Sequence, residues 1–331
     1  MMCLAVTFCY FTTLAQYETL VASPNPSLNN NVPIETQQNT QLSKHSEWFD
    51  VWQQNFTDSI DFSVRQFDDL FAPENKTSKQ AKAEGRLQLS WEPRSRDLAE
   101  TDVRFRIRVS LPHLENRVDL LLSDNEDETQ SDTIKAARSP SLGRQDSTTI
   151  ALRFRPDQES HYSYRIGAGR RDQIYVKGRY RDAIAFNNHW AMLYDGEVYY
   201  YSRDQLGSEI GVSFRHTSHT SHTSHTNNIT RFNNRFYFRD KSNDWLWRHE
   251  IEHLFPVNKN NTLIYSLMVE GLNKPTYQVE EVYTGLRWRS NPIREWLYFD
   301  LEPFVLWLRD EDFSPSYGLA LRLEAYYGKD E

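Results

Sequence analysis

The sequence predicts an all-β fold: a closed antiparallel transmembrane β-barrel of about fourteen strands, with twelve or sixteen as alternatives, preceded by one amphipathic helix. Three observations predict it. From about Ala83 onward, apolar and ionic residues take turns with a period of two. The chain of 331 residues is polar on average yet 14% aromatic, with 9 Trp, 18 Tyr and 18 Phe. No run approaches ~18 consecutive apolar residues, which excludes helical membrane spans. A strand that shows one face to lipid and the other to an interior reconciles these facts. Twelve Gly in the whole chain exclude a collagen-like polymer, and the aromatic content excludes a wholly disordered one. The net charge of −8 argues against a general nucleic-acid binder.

The opening MMCLAVTFCYFTTLA has the length and apolarity of a signal-peptide core, although it lacks a basic start. Thr13-Leu14-Ala15 offers one cleavage site and Ala22 a second, so residues 1–22 are expected to be a signal peptide. Cleavage removes both cysteines, Cys3 and Cys9, which suits an oxidising compartment without a disulfide framework. Residues 23–44 are rich in Asn, Gln, Ser and Pro and read as a disordered linker. In 45–72, Trp48, Trp52, Phe56, Ile60, Val64, Phe67 and Phe71 recur every three or four residues. That is the apolar stripe of an amphipathic helix, ended by Pro73 and expected to sit in the periplasm, where it offers a surface to a partner.

The barrel is expected over 84–328, with strands near 84–92, 102–111, 116–123, 148–156, 161–169, 173–182, 188–203, 207–216, 230–240, 244–254, 261–270, 276–289, 294–309 and 315–327. In the second strand Val103, Phe105, Ile107, Val109 and Leu111 alternate with Arg104, Arg106, Arg108 and Ser110. Tyr194-Asp195-Gly196-Glu197 carries a hairpin signal. Splitting there leaves arms of about five residues, against the ~9–11 that a tilted spanning strand needs, so the segment is read as continuous. Pro303 falls inside a strand and calls for a bulge or a weak pairing. The acidic segment that begins the 124–147 connection and the HTSHTSHTSHT repeat at 216–226 both read as solvated connections.

This parity sorts the ionic residues onto the inner face. A basic side comprises Arg104, Arg106, Arg108, Arg117, Arg153, Arg155, Arg165, Lys177, Arg179 and Arg181, with Asp119 as its acid. A mainly acidic side comprises Asp195, Glu197, Glu209, Glu250, Glu252, Glu270, Glu281, Asp300, Glu302 and Glu324, interspersed with Arg215, Arg235, Arg248, Arg287 and Arg322. Either these charges cross-pair and fill the barrel, or they face one another across water and set a transverse field.

His249-Glu250-Ile251-Glu252-His253 matches the zinc-hydrolase pattern, with Glu270 as a conceivable third ligand. Its flanks, Trp245 to Leu254, have period two, and Pro256 follows closely. On a strand the two histidines lie about 13 Å apart at ~3.3 Å per residue, too far to share a metal. No nucleophile elbow, phosphate loop or CxxC is present. The expectation is therefore no enzyme, no cofactor and no metal.

The final strand, Tyr317 to Tyr327, has apolar residues at 317, 319, 321, 323, 325 and 327 and ends in an aromatic. It resembles the C-terminal signature of Gram-negative outer-membrane barrels that the barrel-assembly machinery reads, apart from a short tail from Gly328 to Glu331. Together with the segment Arg294 to Phe313, it is similar to a group of uncharacterised proteobacterial outer-membrane β-barrel proteins. The resemblance implies fold and location: insertion in outer-membrane lipid of a Gram-negative bacterium. The residues themselves favour a narrow polar, charge-lined pore for small solutes or ions. A closed barrel anchoring a periplasmic or surface partner is the alternative.

Overall fold

The structure is a computed structural model. It describes residues 82–98, 100–111, 117–123, 134–137, 148–157, 159–169, 173–219 and 227–328. The expected signal peptide, linker and helix (1–72), most of the 124–147 connection, His222 and His225 lie outside the described residues.

Fourteen strands form: β1 (Lys82–Trp91), β2 (Thr101–Ser110), β3 (Val118–Ser123), β4 (Thr149–Phe154), β5 (Tyr162–Gly169), β6 (Gln173–Ala185), β7 (Trp190–Tyr201), β8 (Gln205–His219), β9 (Asn227–Arg239), β10 (Asp244–Asn258), β11 (Asn261–Leu272), β12 (Gln278–Arg294), β13 (Leu297–Leu308) and β14 (Ser316–Tyr327). Each pairs antiparallel with its sequence neighbours, and β1 pairs with β14 to close the barrel. Closure satisfies the backbone groups that an open sheet edge would leave unpaired, a requirement inside a lipid phase. An even number of strands puts the start of β1 and the end of β14 at one end, called here the terminal end. The connections 92–100, 124–148 and 309–315 lie at the opposite mouth.

The outer surface carries the apolar set. Leu89, Val103, Ile150, Leu152, Phe154, Ile166, Ile174, Val176, Val198, Ile210 and Leu321 are exposed, while their alternating neighbours are buried or half-buried. Burial of polar side chains beneath an exposed apolar skin inverts the arrangement of a water-soluble protein, as a lipid solvent demands. Asp182 follows the outward parity, near the terminal end of β6. It is satisfied there by the hydroxyls of Tyr180 and Tyr194 at 3.1 and 3.0 Å and by His161 at 3.4 Å. Amphipathic aromatics of this kind suit the boundary between acyl chains and water.

Local sequence features have visible consequences. β7 runs unbroken through Asp195-Gly196. The β12–β13 ladder passes from Gly285↔Phe304 to Trp288↔Leu301, so the pairing lapses opposite Glu302 and Pro303. The proline lacks the donor that this ladder needs. On its other side the β13–β14 register is continuous through Pro303↔Leu319. The β10–β11 register shifts just after Pro256. β3 and β4 have only six residues each, shorter than a full span, and they flank the longest connection.

Candidate functional site

The inner surface divides into two walls of different character. In the first, formed by β10 to β14 with the end of β1, most of the ionic groups are buried and lie close to groups of opposite charge. Glu302 is fully buried. It accepts from Arg287 at 2.9 Å, and also from Arg322 and the Tyr283 hydroxyl. Gly285 leaves the space for this cluster, because a Cβ there would lie 2.6 Å from the Glu302 carboxylate. Arg322 also reaches Glu92 at 3.5 Å, and Arg289 reaches Glu324 at 3.0 Å and Asp300 at 3.7 Å. Arg248 pairs with Glu270 at 3.2 Å, and Glu281 stands directly across the ladder from Glu270. Low local dielectric makes such a network strong when complete and costly when broken.

A segment of the long β3–β4 connection enters the barrel against this wall. Ile134 and Ala137 are fully buried, in one apolar cluster with Met268, Tyr283, Phe304, Leu306 and Ala320. The single 3-10 turn Lys135–Ala137 is tied at both ends. The Lys135 amide donates to Glu92 at 2.5 Å, and Lys135 Nζ donates to the Thr101 carbonyl at 3.1 Å. Arg248 donates to the Ala137 carbonyl at 3.1 Å. The tether thus runs from β1 and β2 to β10, inside the bore. At the mouth above it, Arg94 joins the 92–100 connection to Glu311 at 3.0 Å and to Glu100 at 3.6 Å. Burial pushes the Glu100 carboxyl up, with Arg94 opposing the shift.

The second wall, β2 to β9, is paired sideways along its own surface. Asp119 is fully buried and serves three guanidiniums. Arg153 donates to it at 3.0 and 2.8 Å, Arg155 at 3.2 Å, and Arg108 lies at 3.5 Å. Arg179 donates to Asp195 at 2.7 Å, and Lys177 lies 3.4 Å from Glu197. Asp195 also accepts from Arg235 at 3.1 Å, across β8. The intervening residue is Gly211, where a Cβ would sit 2.7 Å from Asp195 and 2.8 Å from Arg235. Arg235 is also paired with Glu209. Glu252 lies 3.5 Å from Arg231, and Asn233 donates to Glu250 at 3.4 Å. Lys177 sits over the rings of Tyr175, Tyr199 and Tyr201 at 5.2 to 5.4 Å.

Two features of this interior lie outside the expected basic and acidic sets. Asp102 is a second acid of the basic wall, buried and bonded to Arg104 at 2.7 Å. Its parity with Arg104 places it there, but it stands at the first position of the expected strand. The inward turn at 134–137 has little signal beyond the short apolar stretch Ile134 to Ala137 within a polar connection.

The His249–His253 segment is extended, within β10. His249 meets Asn234 at 2.7 Å, and His253 meets the Thr230 hydroxyl at 2.9 Å. A zinc helix is therefore not formed, and Glu250 points into the barrel while both histidines take the outward parity.

No protein-family model and no curated protein matches the chain. Among solved structures, the outer-membrane channel DcaP of Acinetobacter baumannii is similar at 7% identity and a TM-score of 0.45, over 77% of this chain and 99% of that one. Outer-membrane OmpT of Vibrio cholerae is similar at 7% identity and 0.43, over 76% and 99%. The KdgM porin follows at 8% identity and 0.35, over 74% and 99%. The closed fourteen-stranded barrel itself carries the functional reading.

Proposed function

We propose that the protein is an outer-membrane β-barrel of a Gram-negative bacterium that conducts small polar solutes or ions through a narrow, charge-lined passage. One observation carries the reading: a closed wall with an apolar exterior holds more ionic side chains inside than a dry interior accommodates. Arg104, Arg106, Arg108, Arg153, Arg155, Arg165, Lys177, Arg179 and Arg181 belong to strands whose other faces are largely apolar, exposed at Val103, Ile150, Leu152, Ile166, Ile174 and Val176. Among the described residues, Asp102 and Asp119 are the acids that β2 to β6 set inward among them. Desolvating a charged group costs several kcal/mol even when it is paired, and the cations of these strands outnumber their inward acids, so water is expected to reach this wall. Fourteen strands give a bore between that of filled eight-stranded barrels and that of open sixteen-stranded porins. The turn at 134–137 narrows it further from one side.

The Glu209, Glu250 and Glu252 carboxylates border the passage, whereas Glu270, Asp300, Glu302 and Glu324 hold the dry wall together. The chain is not an enzyme on this reading. The terminal end faces the periplasm, the usual side of the termini, and the last strand is the segment that the assembly machinery reads. Two measurements test the proposal. The detergent-extracted protein is expected to change electrophoretic mobility on heating, as a closed barrel does. In planar bilayers it is expected to give discrete conductance steps. A heat-dependent shift without any steps would favour the alternative, a closed scaffold that holds a partner. The observation that favours that alternative is the 134–137 turn lodged in the bore.

A further inference from the structure

The registers of β3 to β6 bring Asp119, Arg153, Arg165 and Lys177 into direct cross-strand succession. All four share the inner face, so three cations stand side by side around the barrel, about 4.8 Å from one strand to the next. Like charges directly opposite one another destabilise a sheet, and here the pattern occurs twice in a row. The one carboxylate of the succession is already shared by Arg108, Arg153 and Arg155. Each member has polar partners; what is unusual is the surplus of positive charge among the described residues of this wall. Across the bore, Glu270, Glu302 and Glu324 are buried and paired with arginines of their own wall, and the 134–137 turn lies against that wall. Arg153 keeps 16% of its side-chain surface accessible and Arg165 is half-buried, while Lys177 keeps 9% and lies 3.4 Å from Glu197, so a solute meets the two arginines first and the lysine at the inner end of the row.

We propose that Arg153, Arg165 and Lys177 form a binding track for small solutes that carry two or more carboxylates. The inference rests on the pore reading and gives that pore its substrate class. Guanidinium and carboxylate pair in a planar, two-pronged geometry. A row of cations at about one strand spacing suits several carboxylates on one short skeleton better than a single charge. The passage lies off-centre, along β2 to β9. A permeating polycarboxylate exchanges one cation for the next without being fully desolvated.

The test uses the full-length protein in planar bilayers under a KCl gradient, with citrate as the probe and glucose as a neutral control. The reversal potential is expected to lie toward that of chloride. Citrate is expected to reduce the KCl current in a concentration-dependent way, and glucose to leave it unchanged. Arg153→Gln combined with Arg165→Gln is expected to raise the half-blocking citrate concentration at least about tenfold, the effect of losing about 1.4 kcal/mol of charge-assisted bonding. Arg309→Gln, at the mouth and outside the track, leaves the block unchanged. Should the double variant fail to show the heat-dependent mobility shift, the wild-type comparison of citrate with glucose decides alone. Steps that persist with a potassium-directed reversal potential, or with no citrate block, overturn this inference and leave the pore standing. The absence of any steps overturns both.

Discussion

Glu302 is the group on which the dry wall turns. It is fully buried and holds Arg287, Arg322 and the Tyr283 hydroxyl. Glu302→Leu removes the carboxylate and leaves two guanidiniums and a hydroxyl facing each other. Arg322 retains Glu92 at 3.5 Å, and Arg287 loses the carboxylate that it meets at 2.9 Å. Removing one partner of a buried ion pair costs about 3–5 kcal/mol, because the other charge stays buried. The assay is reversible urea unfolding in phospholipid vesicles, followed by tryptophan fluorescence. With a slope of about 2 kcal/mol/M, the midpoint is expected to fall by about 1.5–2.5 M. Adding Arg287→Met to Glu302→Leu is expected to recover at least half of that loss, because replacing a buried pair with apolar groups is often neutral. A Glu302→Leu barrel that unfolds at the wild-type midpoint, or a double variant no better than the single one, would refute the claim that these charges are desolvated and mutually dependent.

Other consequences can be measured in the same system. Ile134→Asp puts a carboxylate into the apolar cluster that seats the inward turn, so single-channel conductance is expected to rise while the heat-dependent shift persists. Gly211→Val displaces Asp195 from Arg235 and is expected to destabilise the barrel by about 1–3 kcal/mol, read as an earlier urea transition. His253→Ala removes one hydrogen bond to Thr230 and is expected to cost about 1 kcal/mol or less. Metal analysis is expected to find the same zinc content in that variant as in the wild type, since β10 is extended.

Much of the barrel is legible in the sequence because alternation is local. The inward parity of Arg104 or Arg322 follows from its neighbours in one strand. The fourteen expected segments correspond one to one with β1 to β14, and the weak pairing around Pro303 appears where a missing donor requires it. What is not legible is which charge meets which. That depends on register between strands, and register is set by turn geometry and by closure of the whole ring. The sharing of Asp119 by arginines from β2 and β4, and the reach of Asp195 across Gly211 to Arg235, follow from those alignments. The inward turn at 134–137 is illegible for a different reason. Two of its three polar anchors are a main-chain amide and a main-chain carbonyl, which nearly every residue type possesses.

The seam between the first strand and the last has a temporal consequence. Gly85 aligns with Tyr327, and Trp91 with Leu321, so the ring is completed by contacts between the two extremes of the barrel sequence. Joining such distant points carries the largest loop-closure cost in the molecule. A nascent chain lacking its final dozen residues would expose two unsatisfied edges at once. The polypeptide must therefore stay unassembled until synthesis is over, which favours delivery as an extended thread to the place where it inserts.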